Sequence, residues 1–301
     1  MEDSAAKKLL TTLRRRGPPP PSADFVTGRR DFDELSARNP LPKGVRYLPE
    51  RHGGIPCERA LPEDPVRDEL IVYFHGGGFV MGSVATHRAL TGNLCLALRR
   101  PVLSVDYRLA PEFPYPAARE DGLQVWHSLV AKGSSAGRLV VAGDSAGGAV
   151  GLSVMQALQM TGAPGPAAAF FLSPWLDLTL SGASMESNGK EDPMVSRAGL
   201  EMMGRAYRAG VPADDTGVSP LFGPMTGLPP TLVHCGSTEV LLDDAVRFVR
   251  AMEAGGSRAQ LDIAEGMVHV WHAFAPRLPE AVRAIGRIAA WLDEIRDSGE
   301  R

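Results

Sequence analysis

Short apolar runs recur along the chain from residue 69 onward, and stretches long enough for a helix separate most of them. The runs are ELIVYF (69–74), PVLSVDY (101–107), RLVVAG (138–143), AAAFFLS (167–173), PTLVHCG (230–236) and AQLDIAEG (259–266). Their apolar residues follow one another rather than alternating with polar ones, which is typical of strands covered on both faces. The pattern predicts an α/β fold in which helices cover both faces of a mostly parallel central sheet.

Two segments near the N-terminus precede this alternation. Residues 5–16 carry their leucines on one side and predict a short helix that ends before the proline run starting at Pro18. Such a helix could lie on a membrane surface, but its few apolar residues favour a mobile arm or a lid. From Val45, VRYLPE and PCERALP flank Gly53-Gly54 and predict an antiparallel hairpin at the start of the sheet.

The segment 178–228 is too long to be a simple connection between a strand and the next element. A long excursion of this kind usually has a functional role, such as covering a binding site. Its methionines either face an apolar ligand or pack a predicted helix, 196–209, onto the sheet. These methionines are Met185, Met194, Met202 and Met203.

Composition and charge exclude several classes of partner. Apolar residues make up 44% of the chain and charged residues 22%, as in ordinary globular proteins. The net charge of -3 leaves no positive field for nucleic acid. No apolar run approaches the roughly 18 residues that cross a bilayer, and the N-terminus lacks the pattern of a secretory signal. We expect a cytoplasmic protein with no nucleic-acid partner and no stable membrane insertion.

The three cysteines, Cys57, Cys95 and Cys235, are widely separated and show no metal-type clustering. We expect them to be buried and reduced, and the sequence predicts no metal site.

Two stretches match the pattern G-x-S-x-G, and only one has the context that a nucleophilic serine requires. Ser135 precedes a predicted strand and lies in a loop. Ser145 directly follows the strand LVVAG and begins a helical stretch, so it occupies a strand-turn-helix junction. The alternative is a glycine-rich phosphate turn, but no G-x-G-x-x-G pattern or Walker lysine accompanies it. Ser145 is the candidate nucleophile.

A second motif, His75-Gly76-Gly77-Gly78-Phe79, directly follows the strand ELIVYF. Consecutive glycines leave backbone N–H groups unobstructed, as an oxyanion hole requires. The carboxyl ends of neighbouring parallel strands meet at one edge of a sheet, so this loop and Ser145 should be close. His75 itself is expected to orient the loop rather than to transfer protons.

The base for Ser145 should be a histidine late in the chain, because enzymes with a nucleophilic serine at a strand-turn-helix junction have the order Ser, acid, His. His269 lies in EGMVHVWHAF, just beyond the last apolar run, and is favoured over His272 three residues later. Four other histidines lie in predicted hairpin, helix or strand segments with no evident partner: His52, His87, His127 and His234.

The acid that orients the histidine should follow the strand PTLVHCG. Glu239 comes right after this strand, whereas Asp243 and Asp244 resemble first-turn acids of the next helix. Glu239 is therefore the preferred carboxylate, and Asp244 is the alternative candidate.

Five ordered blocks resemble the hormone-sensitive lipase family of α/β-hydrolase esterases, over about residues 45–295. The blocks are HGGGFVMGS (75–83), DYRLAPEFPYPAA (106–118), GDSAGG (143–148), SPWLDL (173–178) and GMVHVW (266–271). The resemblance implies an α/β-hydrolase fold with a helical cap built from residues 1–44 and 178–215. Residues 45–177 and 216–301 would then form the catalytic domain.

The resemblance also implies roles for individual residues. Ser145 would be the nucleophile and His269 the base, and the amides of Gly77, Gly78 and Ala146 would form the oxyanion hole. The family's acid often stands in a D-P-L-x-D-E block, whereas the corresponding segment here is EVLLDD, with glutamate in place of aspartate.

Members of this family are typically carboxylesterases acting on short acyl chains. We therefore expect a small-molecule ester substrate, a covalent acyl-enzyme and no metal or organic cofactor. Many members pair through the edge strand, which here implies a homodimer near Ala259–Ile263. A non-catalytic receptor on the same fold is the main rival, and the intact Ser145, His269 and HGGG motif argue against it.

Overall fold

The structure is a computed structural model that describes residues 2–20, 22–65 and 69–298, with the side chains of residues 2–7 left undescribed. A few residues of the predicted segments lie outside the described residues. They are residues 1 and 21 of segment 1–44, residues 66–68 of segment 45–177 and residues 299–301 of segment 216–301. Strands and helices alternate through most of the described chain, as the apolar runs predict.

The strands are β1 (Val45–His52), β2 (Ile55–Pro62), β3 (Leu70–Phe74), β4 (Val102–Val105), β5 (Leu139–Asp144), β6 (Ala168–Leu172), β7 (Thr231–Gly236) and β8 (Ala259–Ala264). The helices are α1 (Glu2–Arg16), α2 (Phe25–Ser36), α3 (Arg88–Leu98), α4 (Ala117–Ala131), α5 (Ala146–Thr161), α6 (Ser184–Ser187), α7 (Arg197–Arg208), α8 (Leu242–Ala254) and α9 (Pro279–Ser298).

These eight strands of the described chain form one sheet in the order β1-β2-β4-β3-β5-β6-β7-β8. β1 and β2 are the predicted antiparallel hairpin, β2 runs antiparallel to β4, and every pair from β4 to β8 is parallel. The predicted fold class is confirmed. Because β3, β5, β6 and β7 are adjacent and parallel, the loops at their carboxyl ends lie along one edge of the sheet.

Each face of the sheet has its own apolar core, which explains the continuous apolar runs. Along β3, Val72 and Phe74 pack into a core with α4, α5 and α8. Ile71 and Tyr73 point the other way, into a core with α3 and α9. A strand with both faces buried has no solvent-facing side, so its apolar residues need not alternate with polar ones.

The helix in the long excursion has clear sequence boundaries. α7 follows Ser196, whose Oγ accepts a hydrogen bond from the Gly199 amide at 3.2 Å and caps the first turn. The chain leaves α7 through Ala209 in a left-handed conformation. Within the described part of the chain, no helix is both long enough and apolar enough to span a membrane.

Candidate active site

Ser145 lies at the sharp turn between β5 and α5. Its φ of +51°, with ψ of −123°, is a strained backbone conformation that non-glycine residues seldom adopt. The surrounding backbone holds it there: its amide donates to the Leu172 carbonyl at 2.9 Å, and its carbonyl accepts from the amides of Gly148 and Trp175 at 3.0 Å each. The serine is 8% exposed, so it is buried rather than on an open surface.

Small neighbours make this turn possible. A Cβ on Gly147 would overlap the Phe74 carbonyl oxygen, and a Cβ on Gly143 would lie 2.6 Å from the Gly147 carbonyl. The start of α5 thus rests directly on the ends of β3 and β5. Ser135, the other G-x-S-x-G serine, is exposed and extended just before a short 3₁₀ turn.

The glycine loop after β3 is tied to the residue that precedes the serine. The Gly76 amide donates to Asp144 Oδ1 at 3.0 Å, and Tyr73 donates its hydroxyl to the same oxygen at 2.7 Å. Gly77 and Gly78 have φ values of +114° and +62°, which favour glycine. The loop therefore has a fixed position relative to Ser145.

His75 lies beneath this loop, where its ring stacks on Tyr107 with centroids 4.2 Å apart. Its Nδ1 donates to the Gly76 carbonyl at 2.8 Å. Burial and the nearby charge of His87 lower the pKa of His75 to about 3, so the ring is neutral near neutral pH. This geometry agrees with the expectation that His75 supports the loop.

His87 had no evident partner in the sequence, and the structure reveals one. Its Nε2 lies 3.5 Å from Asp144 Oδ2, because the start of α3 packs beneath the glycine loop. Burial raises the pKa of Asp144, but His87 and Tyr73 outweigh it and lower the pKa overall. Asp144 is therefore ionised and accepts hydrogen bonds from the loop.

His269 and Glu239 meet at the ends of β7 and β8. Nδ1 of His269 donates to Glu239 Oε2 at 2.8 Å, and both residues are buried. The other carboxylate oxygen accepts from the Gly236 amide at 2.5 Å and from the Ser173 hydroxyl at 2.7 Å. Ser173 Oγ in turn accepts from the Val270 amide at 3.0 Å, so one hydroxyl links the acid to the histidine loop.

Several charges act on the His269 ring. Burial lowers the pKa of His269, but the hydrogen bond and charge of Glu239, with the charges of Asp192 and Asp144, outweigh it and raise the pKa above its ordinary value. Because Nδ1 carries the proton shared with Glu239, the neutral ring has its lone pair on Nε2.

The competing residues have other partners. His272 Nε2 lies 3.0 Å from Nδ1 of His234, and burial and His234 lower the pKa of His272 well below its ordinary range. His234 thus also has a partner that the sequence did not reveal.

The two competing aspartates are in the first turn of α8, as predicted. Asp243 Oδ2 accepts from the Ser184 amide at 3.0 Å, and Asp244 Oδ2 accepts from the amides of Leu176 and Asp177. Burial is the main reason that the pKa of Asp244 rises to about 7. Asp244 is fully buried, so it is not the simple helix-start charge that its position suggests.

Both segments expected to form a cap contact the glycine loop. Arg29 of α2 donates to the Val80 carbonyl at 2.7 Å and forms a two-pronged ion pair with Glu112. From α7, the Met203 sulfur packs against Gly78 so closely that a Cβ on that glycine would overlap it. Further along the same helix, Tyr207 stacks on Phe79 with ring centroids 3.8 Å apart.

Sequence reasoning did not single out Asp144, Ser173 or Asp192, although all three contact the candidate site. The first two stand inside the motif blocks GDSAGG and SPWLDL, so a signal for them was present. Asp192 has no such local signal. Across the described residues, no group of three or more His, Cys, Asp or Glu side chains is arranged to hold a metal ion.

Sequence comparison identifies relatives that are named as esterases or acetyl-hydrolases. Residues 71–273 match the profile of a protein family described as alpha/beta hydrolase fold. An acetyl-hydrolase of Streptomyces hygroscopicus is 40% identical over 230 residues, which make up 76% of this chain and 77% of that protein. An esterase of Acinetobacter venetianus is 35% identical over 264 residues, or 87% of each chain.

Solved structures of esterases and lipases superpose on nearly the whole of this chain. An esterase from the bacterial hormone-sensitive lipase family superposes with a TM-score of 0.92 at 35% identity, covering 97% of this chain and 98% of that one. A hormone-sensitive lipase from a metagenome library gives a TM-score of 0.92 at 33% identity, covering 96% and 98%.

Proposed function

This chain belongs to the alpha/beta hydrolase family, as a carboxylic ester hydrolase of the bacterial hormone-sensitive lipase type, and we propose that it hydrolyses short- to medium-chain acyl esters. The nucleophile is Ser145, the base is His269 and the orienting acid is Glu239. The observation that carries the proposal is the buried 2.8 Å hydrogen bond between His269 and Glu239. That bond leaves Nε2 as the nitrogen able to accept the serine proton.

Acylation begins when Ser145 Oγ attacks the ester carbonyl carbon and its proton passes to Nε2 of His269. The resulting tetrahedral intermediate collapses by breaking the bond to the alcohol oxygen, and the imidazolium returns its proton to that oxygen. Water then attacks the acyl-enzyme with His269 again as base, which releases the acid and restores the serine. Glu239 holds the imidazole tautomer and stabilises the imidazolium in both halves of the cycle.

The oxyanion hole in this proposal consists of the amides of Gly77, Gly78 and Ala146. Among the described residues, neither the Gly77 nor the Gly78 amide donates to a protein acceptor, which leaves both available to a ligand. Ala146 begins α5, where the helix dipole also favours developing negative charge.

The cap in this proposal consists of residues 1–44 and 178–215, and α7 limits the length of the acyl chain. Its Met203 packs on Gly78, next to the position where the ester carbonyl would bind. The flexible thioether can adjust to different short chains while still occupying this space.

The acyl preference is tested with p-nitrophenyl esters from acetate to laurate. We expect the highest kcat/KM on short to medium chains and a steep decline toward laurate. Met203→Ala should raise the octanoate-to-acetate ratio of kcat/KM by about tenfold, because it frees the space of several methylene groups. The control is Met160→Ala, which changes a methionine of α5 that is 72% exposed. Identical chain-length profiles for the two variants would refute the role of Met203.

The pH dependence tests the base. Only neutral His269 accepts the serine proton, so log kcat/KM should fall with a slope of one as the pH drops through the pKa of this residue. Because that pKa is raised, the midpoint should lie above the ordinary histidine value of about 6.5. Initial rates over a pH series measure the profile, and circular dichroism at each pH checks that the fold is retained. A rate that stays constant from about pH 8 to about pH 5, with chemistry limiting, contradicts the assignment.

A homodimer through the edge strand is part of the same proposal. β8 ends the sheet, and its Ile263 is 46% exposed. Pairing of Ala259–Ile263 with the same strand of a second copy would cover this side chain and the unpaired edge.

A further inference from the structure

The chain that follows β6 crosses over the loop that carries Glu239 and is hydrogen-bonded to it through side chains. We propose that Asp192, together with Asn188, is a positioning residue that holds Glu239 against His269 and adds a second negative charge beside the imidazole. The inference rests on the proposed triad, since it assigns residues that act through Glu239.

Asn188 binds the backbone of the acid itself. Its Nδ2 donates to the Glu239 carbonyl at 2.8 Å and to the Ser237 carbonyl at 3.1 Å. Two carbonyls of one tight loop are thereby joined to a single amide group. Loss of this amide would leave the loop free to relax around Glu239.

Asp192 binds the N–H of the same peptide group, the one that joins Glu239 to Val240. Its Oδ2 accepts from the Val240 amide at 3.0 Å, and its Oδ1 accepts from the amides of Met194 and Val195 at 2.9 and 3.0 Å. Asp192 is buried, with only 2% of its surface exposed. One carboxylate therefore ties the acid loop to the segment that leads into α7.

These contacts complete the restraints on Glu239. The Gly236 amide and Ser173 hold one of its carboxylate oxygens, and Asn188 and Asp192 hold its backbone. A glutamate has one more rotatable bond than the aspartate common at this position in the family, so its carboxylate can reach more places. A fixed backbone limits that freedom and keeps Oε2 on His269.

Asp192 also acts on the imidazole through its charge. The carboxylates whose charges raise the pKa of His269 are Glu239 from the loop after β7, Asp192 from the segment after β6 and Asp144 from the end of β5. Burial raises the pKa of Asp192, and the positive charge of His269 offsets part of that rise. Asp192 thus favours the imidazolium that forms in the transition state.

The experiment compares Asp192→Asn, Asn188→Ala and Glu191→Gln by steady-state kinetics on p-nitrophenyl butyrate across pH. Asp192→Asn should lower kcat by about 10- to 100-fold with little change in KM, because small displacements of a catalytic group are costly. It should also move the acidic midpoint of the pH profile to lower pH, since one negative charge beside His269 is lost. Asn188→Ala should lower kcat by about tenfold and move that midpoint less than Asp192→Asn does, because it loosens Glu239 but removes no charge. Glu191→Gln removes a charge from an exposed neighbour and should change neither quantity.

Each outcome bears on the inference. If Asp192→Asn matches Glu191→Gln in both kcat and midpoint, the inference is overturned. If Asp192→Asn does not fold, Asn188→Ala decides: a normal kcat overturns the inference, and a lowered kcat with unchanged KM supports it. Failure of the triad itself is recognised separately, because Glu239→Gln would then remain active.

Discussion

Ser145→Ala is expected to lower kcat by about 10⁶-fold, since in a comparable serine hydrolase the loss of the nucleophile removes nearly all catalysis beyond binding and the oxyanion hole. Alanine keeps the Cβ that the turn already accommodates, so the strained backbone and the contacts of its amide and carbonyl should persist. The measurement is kcat on p-nitrophenyl butyrate, with thermal unfolding to check the fold. Covalent labelling by a fluorophosphonate should disappear in parallel, because that reagent reacts with an activated serine.

The matched control for this change is Ser135→Ala in the second G-x-S-x-G stretch. Ser135 is exposed and lies outside the strand-turn-helix junction, so the variant should keep its turnover and its labelling. Loss of activity in folded Ser135→Ala, with retention in Ser145→Ala, would reverse the assignment. A wild-type protein that no fluorophosphonate labels would instead favour the receptor hypothesis.

Glu239→Gln is expected to lower kcat by about 10⁴-fold, by analogy with the aspartate-to-asparagine change in serine protease triads. The glutamine oxygen can keep the hydrogen bonds from Gly236 and Ser173, which turns its NH₂ group toward His269. That donor selects the tautomer with the proton on Nε2, and this nitrogen then cannot accept the proton of Ser145. Loss of the carboxylate should also move the acidic midpoint of the pH profile to lower pH.

Two neighbouring acids provide the controls for Glu239. In Asp243→Asn the amide oxygen can still accept from Ser184, so turnover should be nearly normal. In Asp244→Asn the oxygen can still accept from Leu176 and Asp177, but the new NH₂ group would occupy a position where the present oxygen has no partner. We expect that variant to lose about 1–3 kcal/mol of stability and to keep most of its turnover. Near-normal activity of Glu239→Gln beside an inactive, folded Asp244→Asn would assign the acid to Asp244.

The sequence by itself determined the fold class and the positions of the two candidate catalytic loops. Short continuous apolar runs between helix-length segments are typical of strands buried on both faces, and the structure has a strand at each predicted run, although β8 lies at the partly exposed edge of the sheet. Gly77 and Gly78 meet a local requirement of backbone conformation, because their φ values are +114° and +62°. Such requirements act within a few residues, so they can be recognised without knowing the rest of the molecule.

Only the tertiary structure decided which side chains meet. Glu239 and Asp244 both follow β7, and His269 and His272 are three residues apart, so position in the sequence favoured Glu239 and His269 but could not show that these two side chains meet. The parallel pairing of β7 with β8 and the packing of α8 turn Glu239 toward His269 and Asp244 toward Leu176. The direction of a side chain depends on packing between segments distant in sequence, which no local pattern encodes. The same reason explains why Asp192, 47 residues before Glu239, became recognisable only when the chain after β6 was seen lying across the acid loop.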